Sequence, residues 1–294
     1  MKLQTGLYVP ERWKKGRVSL TADSHSKENK MATTVSLINM KGGVGKTTLA
    51  FNLAWYCAWQ ANLKVLAVDL DPQANLSQYF MRARKYLAYI STDGQTVVEI
   101  FEQFSAPRSR KGSPRLIRAH DVIHVLQEWP DGSLLHLVPS RLELAWTLKN
   151  PTEKAQLLPQ FLAQIQDKYD LIVIDCAPTE SILTSSAYRS SRYVVVPVRP
   201  EFLATIGLPL LARSLEEFRL MHQDQTLQMA GIVFNGKRRS IRPRSRRHQS
   251  KMSKGWPVKT DGQYSRMPLI IRILSHLDLA KLLQSSKLIM HEPT

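Results

Sequence analysis

From Thr34 onward, short apolar runs rich in β-branched residues alternate with longer stretches whose apolar residues recur at helical spacing. The runs Thr34–Asn39, Lys64–Asp69, Leu134–Val138, Leu171–Asp175, Tyr193–Val198 and Ala230–Asn235 read as strands. Helical stretches are expected around residues 46–61, 72–90, 152–168, 180–190 and 203–222. In the first of these, Leu49, Leu53, Trp55, Tyr56 and Trp59 fall at helical spacing. Apolar strands separated by helices predict an α/β fold: a mostly parallel twisted sheet flanked by helices on both faces. Right-handed crossovers bring the C-terminal ends of such strands to one edge, where ligands bind.

The pattern fails in three places. Residues 1–30 are polar and charged without periodicity, and read as a disordered leader or as residues upstream of the true start at Met31. Residues 105–118 look like a basic surface loop, and 237–263 is an irregular stretch rich in Gly, Ser and Arg. Residues 31–294 are long enough for one sizeable core, so a single domain is expected. No run approaches the ~18 apolar residues of a membrane span, and the first residues lack the apolar segment of a signal peptide. The two cysteines, Cys57 and Cys176, lie far apart in apolar settings and read as buried thiols.

Charge narrows the partners. The formal net charge of +17 favours a polyanion, either nucleic acid or an anionic membrane surface. Lys237, Arg238, Arg239, Arg242, Arg244, Arg246, Arg247, Lys251 and Lys254 form one basic run, with no acidic residue from 236 to 260. Such a run is a solvated face in most proteins. Its arginine dominance also suits bidentate phosphate contacts, whose strength falls steeply with salt.

The chemistry concentrates at residues 41–48, KGGVGKTT, between the first strand and the first helix. Backbone amides of a Gly-containing loop at a helix N-terminus cradle phosphate oxygens. Lys46 would reach the β- and γ-phosphates, and the Thr47 hydroxyl would ligate Mg²⁺. The loop departs from the usual G-x-x-x-x-G-K-[ST] frame at its first glycine, and Lys41 stands just after that position. Asp69 and Asp71 close the second strand, two residues apart and so on one face of an extended segment. Two carboxylates there can hold Mg²⁺ through water and position an attacking water; an acidic turn ended by Pro72 is the plainer alternative. Leu171–Asp175 is an apolar run ending in a carboxylate, as a metal-supporting strand needs.

KGGVGKTT, VDLDPQANLS (68–77), LIVIDCAP (171–178) and VVVPVRPEFLATIGLPLL (194–211) together resemble the ParA/MinD family of P-loop ATPases with a deviant Walker A box. The resemblance covers roughly residues 31–285 and implies a P-loop NTPase fold, ATP and Mg²⁺ as cofactors, and a slow ATPase. It assigns Gly42, Gly43, Val44, Gly45, Lys46, Thr47 and Thr48 to the phosphates, with Thr47, Asp69 and Asp175 supporting the metal. Asp71 becomes the water-activating carboxylate, and Lys41 the signature lysine that reaches the partner subunit's phosphates in an ATP-bound homodimer. Asn235, ending GIVFN, would hydrogen-bond adenine, an assignment a strand-end turn former can mimic. Arg238, Arg239, Arg242, Arg244, Arg246, Arg247, Lys251 and Arg272 would contact non-specific double-stranded DNA.

The family implies a cytoplasmic, nucleoid-associated DNA-segregation ATPase released by a ParB-like centromere-binding partner. A MinD-like membrane-cycling ATPase is the alternative, for which residues 277–290 have some amphipathic character. A metabolic P-loop enzyme is a third reading, to which the basic run gives no support. Two departures stand out: Cys176-Ala177-Pro178 keeps one of the two prolines usual after the strand-end aspartate, and the long final helix of many relatives is not evident.

Overall fold

In chain order the elements are β1 (Thr33–Leu37), α1 (Lys46–Trp59), β2 (Lys64–Leu70), α2 (Asn75–Met81), α3 (Ala83–Ser91), α4 (Val97–Glu102), α5 (Ala119–Val122), β3 (His124–Glu128), β4 (Leu134–Val138), α6 (Leu144–Thr147), α7 (Leu157–Ala163), β5 (Leu171–Cys176), α8 (Ile182–Ser190), β6 (Tyr193–Val198), α9 (Ala204–Met221) and β7 (Gln228–Phe234). They come from a computed structural model that describes residues 31–103, 117–147, 154–199, 204–223 and 225–235. The leader (1–30), most of the basic loop and the segment from 236 onward lie outside the described residues.

Among the described residues the strands form one sheet in the order β3-β4-β2-β5-β1-β6-β7. Every pairing is parallel except β3 with β4. The centre of the sheet is buried on both faces: β5 and β6 are buried throughout, and β2 is buried at all but its first residue. That burial is why these strands read as unbroken apolar runs.

Alternate residues of β2 and β5 feed opposite cores. Val65, Ala67, Leu171 and Val173 pack with Ala50, Leu53, Ala54 and Cys57 of α1 and Phe80 of α2. Leu66, Val68, Ile172 and Ile174 pack with Phe101 of α4, Phe161 of α7, Tyr188 of α8 and Phe218 of α9. Helices therefore cover both faces, as the sequence pattern predicts. The chain runs from β1 to β2 in one direction across the sheet and from β5 through β1 to β6 in the other. This places β1 at the point where the strand order reverses, the place where open α/β sheets bind ligands.

Several boundaries differ from the predicted ones. The helix expected over 72–90 is two helices, because Arg82 adopts the left-handed φ of 65° between them. Strand β3 is an unpredicted antiparallel edge, joined to β4 through a turn at Pro130-Asp131-Gly132 in which Gly132 has φ 82°. The helix expected over 152–168 is reduced to α7, flanked by 3₁₀ turns at Lys154–Gln156 and Gln166–Lys168. Strand β2 ends at Leu70, so Asp71 belongs to the following turn and not to the extended segment.

Helix α4 is fixed by a capping box. The Thr96 hydroxyl accepts from Val98 N (3.2 Å), and Thr96 N donates to Glu99 Oε2 (2.6 Å). The other Glu99 oxygen takes the Arg141 guanidinium at 2.6 Å, in a largely buried ion pair that pins the loop leaving β4. Both cysteines are free and buried, and burial pushes the Cys57 thiol up to about 12.

Candidate functional site

Residues 39–45 leave β1 and turn into α1. Gly43 and Gly45 have φ of 71° and 92°, and Val44 between them is buried. Left-handed residues alternating with ordinary ones in a tight loop turn successive N–H groups inward, the geometry that binds anions. At Gly45 the requirement for glycine is doubled: a Cβ there would also meet Asn235 Nδ2 at 1.9 Å.

Lys46 is the first residue of α1 and is buried. Its ammonium donates to Asn39 O at 3.0 Å and to Lys41 O at 3.2 Å. Burial lowers its pKa, opposed by the charges of Asp175, Cys176 and Asp71. Lys41 is half-buried and lines a small cleft with Asn39, Val44, Val198, Arg199, Gly207 and Leu208. Thr47 is half-buried, Thr48 and Gly42 are exposed, and the Thr48 carbonyl accepts from Asn52 Nδ2 at 2.6 Å.

Asp69 and Asp175 continue the Val65–Ala67 and Leu171–Val173 series and so face the α1 side of the sheet, and Asp71 follows in the turn after β2. Asp69 and Asp175 are register partners on β2 and β5, and both are fully buried. Burial raises the Asp69 carboxyl to about 7, and hydrogen bonds from Ser77 and Asp71 limit that rise. Its Oδ2 accepts from Ser77 N (2.8 Å) and Ser77 Oγ (2.6 Å), and its Oδ1 from Asp71 N (3.2 Å). Ser140 N in turn donates to Ser77 Oγ at 2.9 Å. Asp69 therefore holds the loop that carries Asp71.

Asp175 differs. Neither of its buried oxygens has a hydrogen-bond partner of normal geometry. Burial lifts its pKa well above the usual carboxylate range, reinforced by the charges of Asp69 and Asp71, while the Thr47 hydroxyl and Lys46 pull it down. Asp71 is buried at 7 % exposure, and its Oδ1 accepts from Gln73 N at 2.9 Å. The turn following it contains Ala74 at a left-handed φ of 52°, capping α2.

These residues fit a magnesium nucleoside triphosphate. Among the described residues no cluster of three or more His, Cys, Asp or Glu side chains could cage a metal ion by itself. Mg²⁺ in such a site needs only one or two protein oxygens together with phosphate and water, and Thr47 and Asp175 could supply them.

Asn235 stands at the end of β7, beside the phosphate loop. Its Nδ2 donates to Val44 O at 3.0 Å, and its backbone N to Val198 O at 2.7 Å. One of the two amide N–H groups is thus engaged by the phosphate loop, and the other N–H and the side-chain oxygen stay available to a ligand. Two residues the sequence reading missed also take part. Asn39 ties β1 to β6, donating from Nδ2 to Pro197 O and accepting at Oδ1 from Lys41 N, each at 2.8 Å. Ser77 is the donor to Asp69. An Asn just before a phosphate loop and a Ser one turn into the next helix were the available signals. Every residue assigned to DNA, from Arg238 to Arg272, lies outside the described residues.

Known proteins resemble this chain in sequence and fold. A family model described as an AAA domain (AAA_31) matches residues 32–229. The chromosome-partitioning ATPase Soj of Thermus thermophilus is 35% identical over 202 residues, covering 68% of this chain and 67% of that protein. Soj of Treponema pallidum is 32% identical over 207 residues, covering 69% and 71%. Among solved structures, a plasmid partition protein from Borrelia burgdorferi is 25% identical, with a TM-score of 0.64 over 86% of this chain and all (100%) of that one. A family model spanning most of the described residues, with relatives 32% and 35% identical over two thirds or more of both chains, shows that the chain belongs to the ParA/MinD-like AAA_31 family of P-loop ATPases.

Proposed function

We propose that this protein is a ParA-type DNA-segregation ATPase. It binds ATP with Mg²⁺, dimerises on the nucleotide, coats non-specific double-stranded DNA, and is released when a ParB-like partner stimulates hydrolysis. Its place is then the cytoplasm, on the nucleoid. The observation that carries the reading is the convergence of Lys46, Asp71 and the unpartnered Asp175 behind a loop whose mouth bears a second lysine, Lys41. The partition roles printed for the Soj relatives and the Borrelia protein support it.

In this reading the loop amides and the Lys46 ammonium bind the phosphates. Lys46 exchanges its two carbonyl partners, Asn39 O and Lys41 O, for phosphate oxygens. Thr47 and Asp175 would hold Mg²⁺, which would supply neutralising charge at the phosphates. Asp69 acts one step back, holding the 71–77 loop through Ser77. The Oδ1 of Asp71 is engaged by Gln73 N, so its other oxygen takes the proton of the attacking water. Lys41 extends to the partner's phosphates, adding charge stabilisation that exists only in the dimer.

The test is retention of the full chain on non-specific DNA with ATP, ADP and no nucleotide, beside anionic liposomes as a competing surface. ATP-dependent retention on DNA, lost at high salt and in Lys41→Ala, is expected. Retention on liposomes alone, or DNA binding indifferent to nucleotide, overturns the proposal.

A further inference from the structure

Asn39 sits where three pieces of the molecule meet. The β1–β6 ladder continues past the end of β1 as far as Ile38, whose N–H donates to Val195 O at 3.1 Å. In a continued parallel ladder the next acceptor, Pro197 O, would be met by the N–H of Met40. The chain has by then turned toward the phosphate loop, and the Asn39 side-chain amide takes Pro197 O instead, at 2.8 Å. The other end of the same amide accepts from Lys41 N at 2.8 Å, closing an Asx turn. The backbone carbonyls of Asn39 and Lys41 are thereby presented together, and both receive the Lys46 ammonium.

We propose that Asn39 is a positioning residue for the signature lysine: its amide stands in for a ladder peptide, joining β6 to the phosphate loop and fixing the Lys41 backbone. The inference rests on the reading in which Lys41 acts across an ATP-bound dimer.

The amide is suited to this task because it carries a donor and an acceptor at opposite ends of one planar group. A carboxylate keeps the acceptor for Lys41 N but sets an oxygen against Pro197 O. Serine is too short to span both partners, and alanine supplies neither. The wall so joined is the one that lines the cleft beside Lys41, through Val198 and Arg199 after β6 and Gly207 and Leu208 in α9. Lys46 relates to Asn39 through main-chain oxygens, which a side-chain substitution leaves in place. Lys41, whose own amide is held by the side chain, feels the change most.

The experiment measures two quantities on the full chain: affinity for a fluorescent ATP analogue, and ATP-dependent self-association by sedimentation velocity. Wild type, Asn39→Ala, Asn39→Asp and Lys41→Ala are compared, with circular dichroism confirming the fold. Asn39→Ala is expected to weaken self-association about tenfold, as loss of one or two buried hydrogen bonds implies, while nucleotide affinity changes less than about threefold. Asn39→Asp, which sets an oxygen against Pro197 O, should weaken self-association at least as much, and serves if the alanine variant does not fold. A purely structural role predicts nucleotide affinity and self-association falling together, and that result overturns the proposal. So does self-association of both variants equal to wild type while Lys41→Ala fails. If wild type itself does not associate on ATP, the dimer reading falls and this inference with it.

Discussion

The two walls of the phosphate loop are built from opposite materials. Toward β6 and β7 the loop is held by neutral amides, each with its partner: Asn39 on Pro197 O and Lys41 N, Asn235 on Val44 O and Val198 O. Toward β2 and β5 it faces carboxylates packed side by side, Asp69 opposite Asp175, with the oxygens of Asp175 unpartnered and both pKa values raised. The amide wall fixes geometry and asks for nothing further. The carboxylate wall buries two acids whose ionised forms are disfavoured until further positive charge joins Lys46 beside them. A site of this kind is rigid on one side and electrostatically incomplete on the other, which ties its most stable state to its ligands.

Substitutions should separate the two walls. The largest effect is expected from Asp71→Ala, which removes the proposed water-activating carboxylate: steady-state ATP hydrolysis should drop by about 10²–10⁴, with fluorescent-nucleotide affinity retained. Asp175→Asn should reduce hydrolysis about 10²-fold while leaving the nucleotide-free protein at least as stable in denaturant titration, because the amide is neutral where burial already drives the carboxyl toward its protonated form. Equal losses in hydrolysis and stability would place Asp175 with the structural groups.

On the amide wall, Gly45→Ala should cost about 2–3 kcal/mol by thermal unfolding, since it combines a left-handed φ with a clash on Asn235. Adding Asn235→Ala should return part of that loss. The smallest effect comes from pH. Asp69 titrates at about 7 in the fold against 3.8 as the ordinary value, so the folded state keeps a proton that the unfolded chain has released. Its stabilising contribution is complete below about pH 4 and is lost as pH rises through 7. Between pH 6 and 8 the nucleotide-free protein should lose about 1.4 kcal/mol, and Asp69→Asn should flatten that slope.

Much of the carboxylate wall was legible in the sequence, because its residues sit at the ends of apolar runs. Asp69 and Asp175 emerge where β2 and β5 end, and KGGVGKTT announces itself by composition. The function of Asp69 as a loop anchor was not legible, since Ser77 lies a helical turn away in a segment that could have continued straight from residue 72. The amide wall was nearly invisible. Asn39 acts on the main chain of β6 and Asn235 on that of the phosphate loop, each far away in sequence, so their contacts cannot be read from local sequence. In the fold, the parallel centre was readable from unbroken apolar runs, whereas β3 was missed because only one of its residues is buried and a register shift breaks its alternation. The Pro130-Asp131-Gly132 turn was the overlooked sign of its hairpin. The break at Arg82 has no sequence signal, because arginine seldom takes a positive φ.

The bond from Asn235 to Val44 spans 191 residues, and that separation bears on how the protein is made. Strand β5 lies between β1 and β2 in the sheet, so the strands flanking the first helix do not touch each other. A ribosome therefore extrudes KGGVGKTT long before anything exists to hold it in shape. The loop must wait for β5, then β6, and finally for Asn235 at the far end of β7. Such late, distant closure slows folding, and it delays a competent phosphate grip until most of the chain has been synthesised.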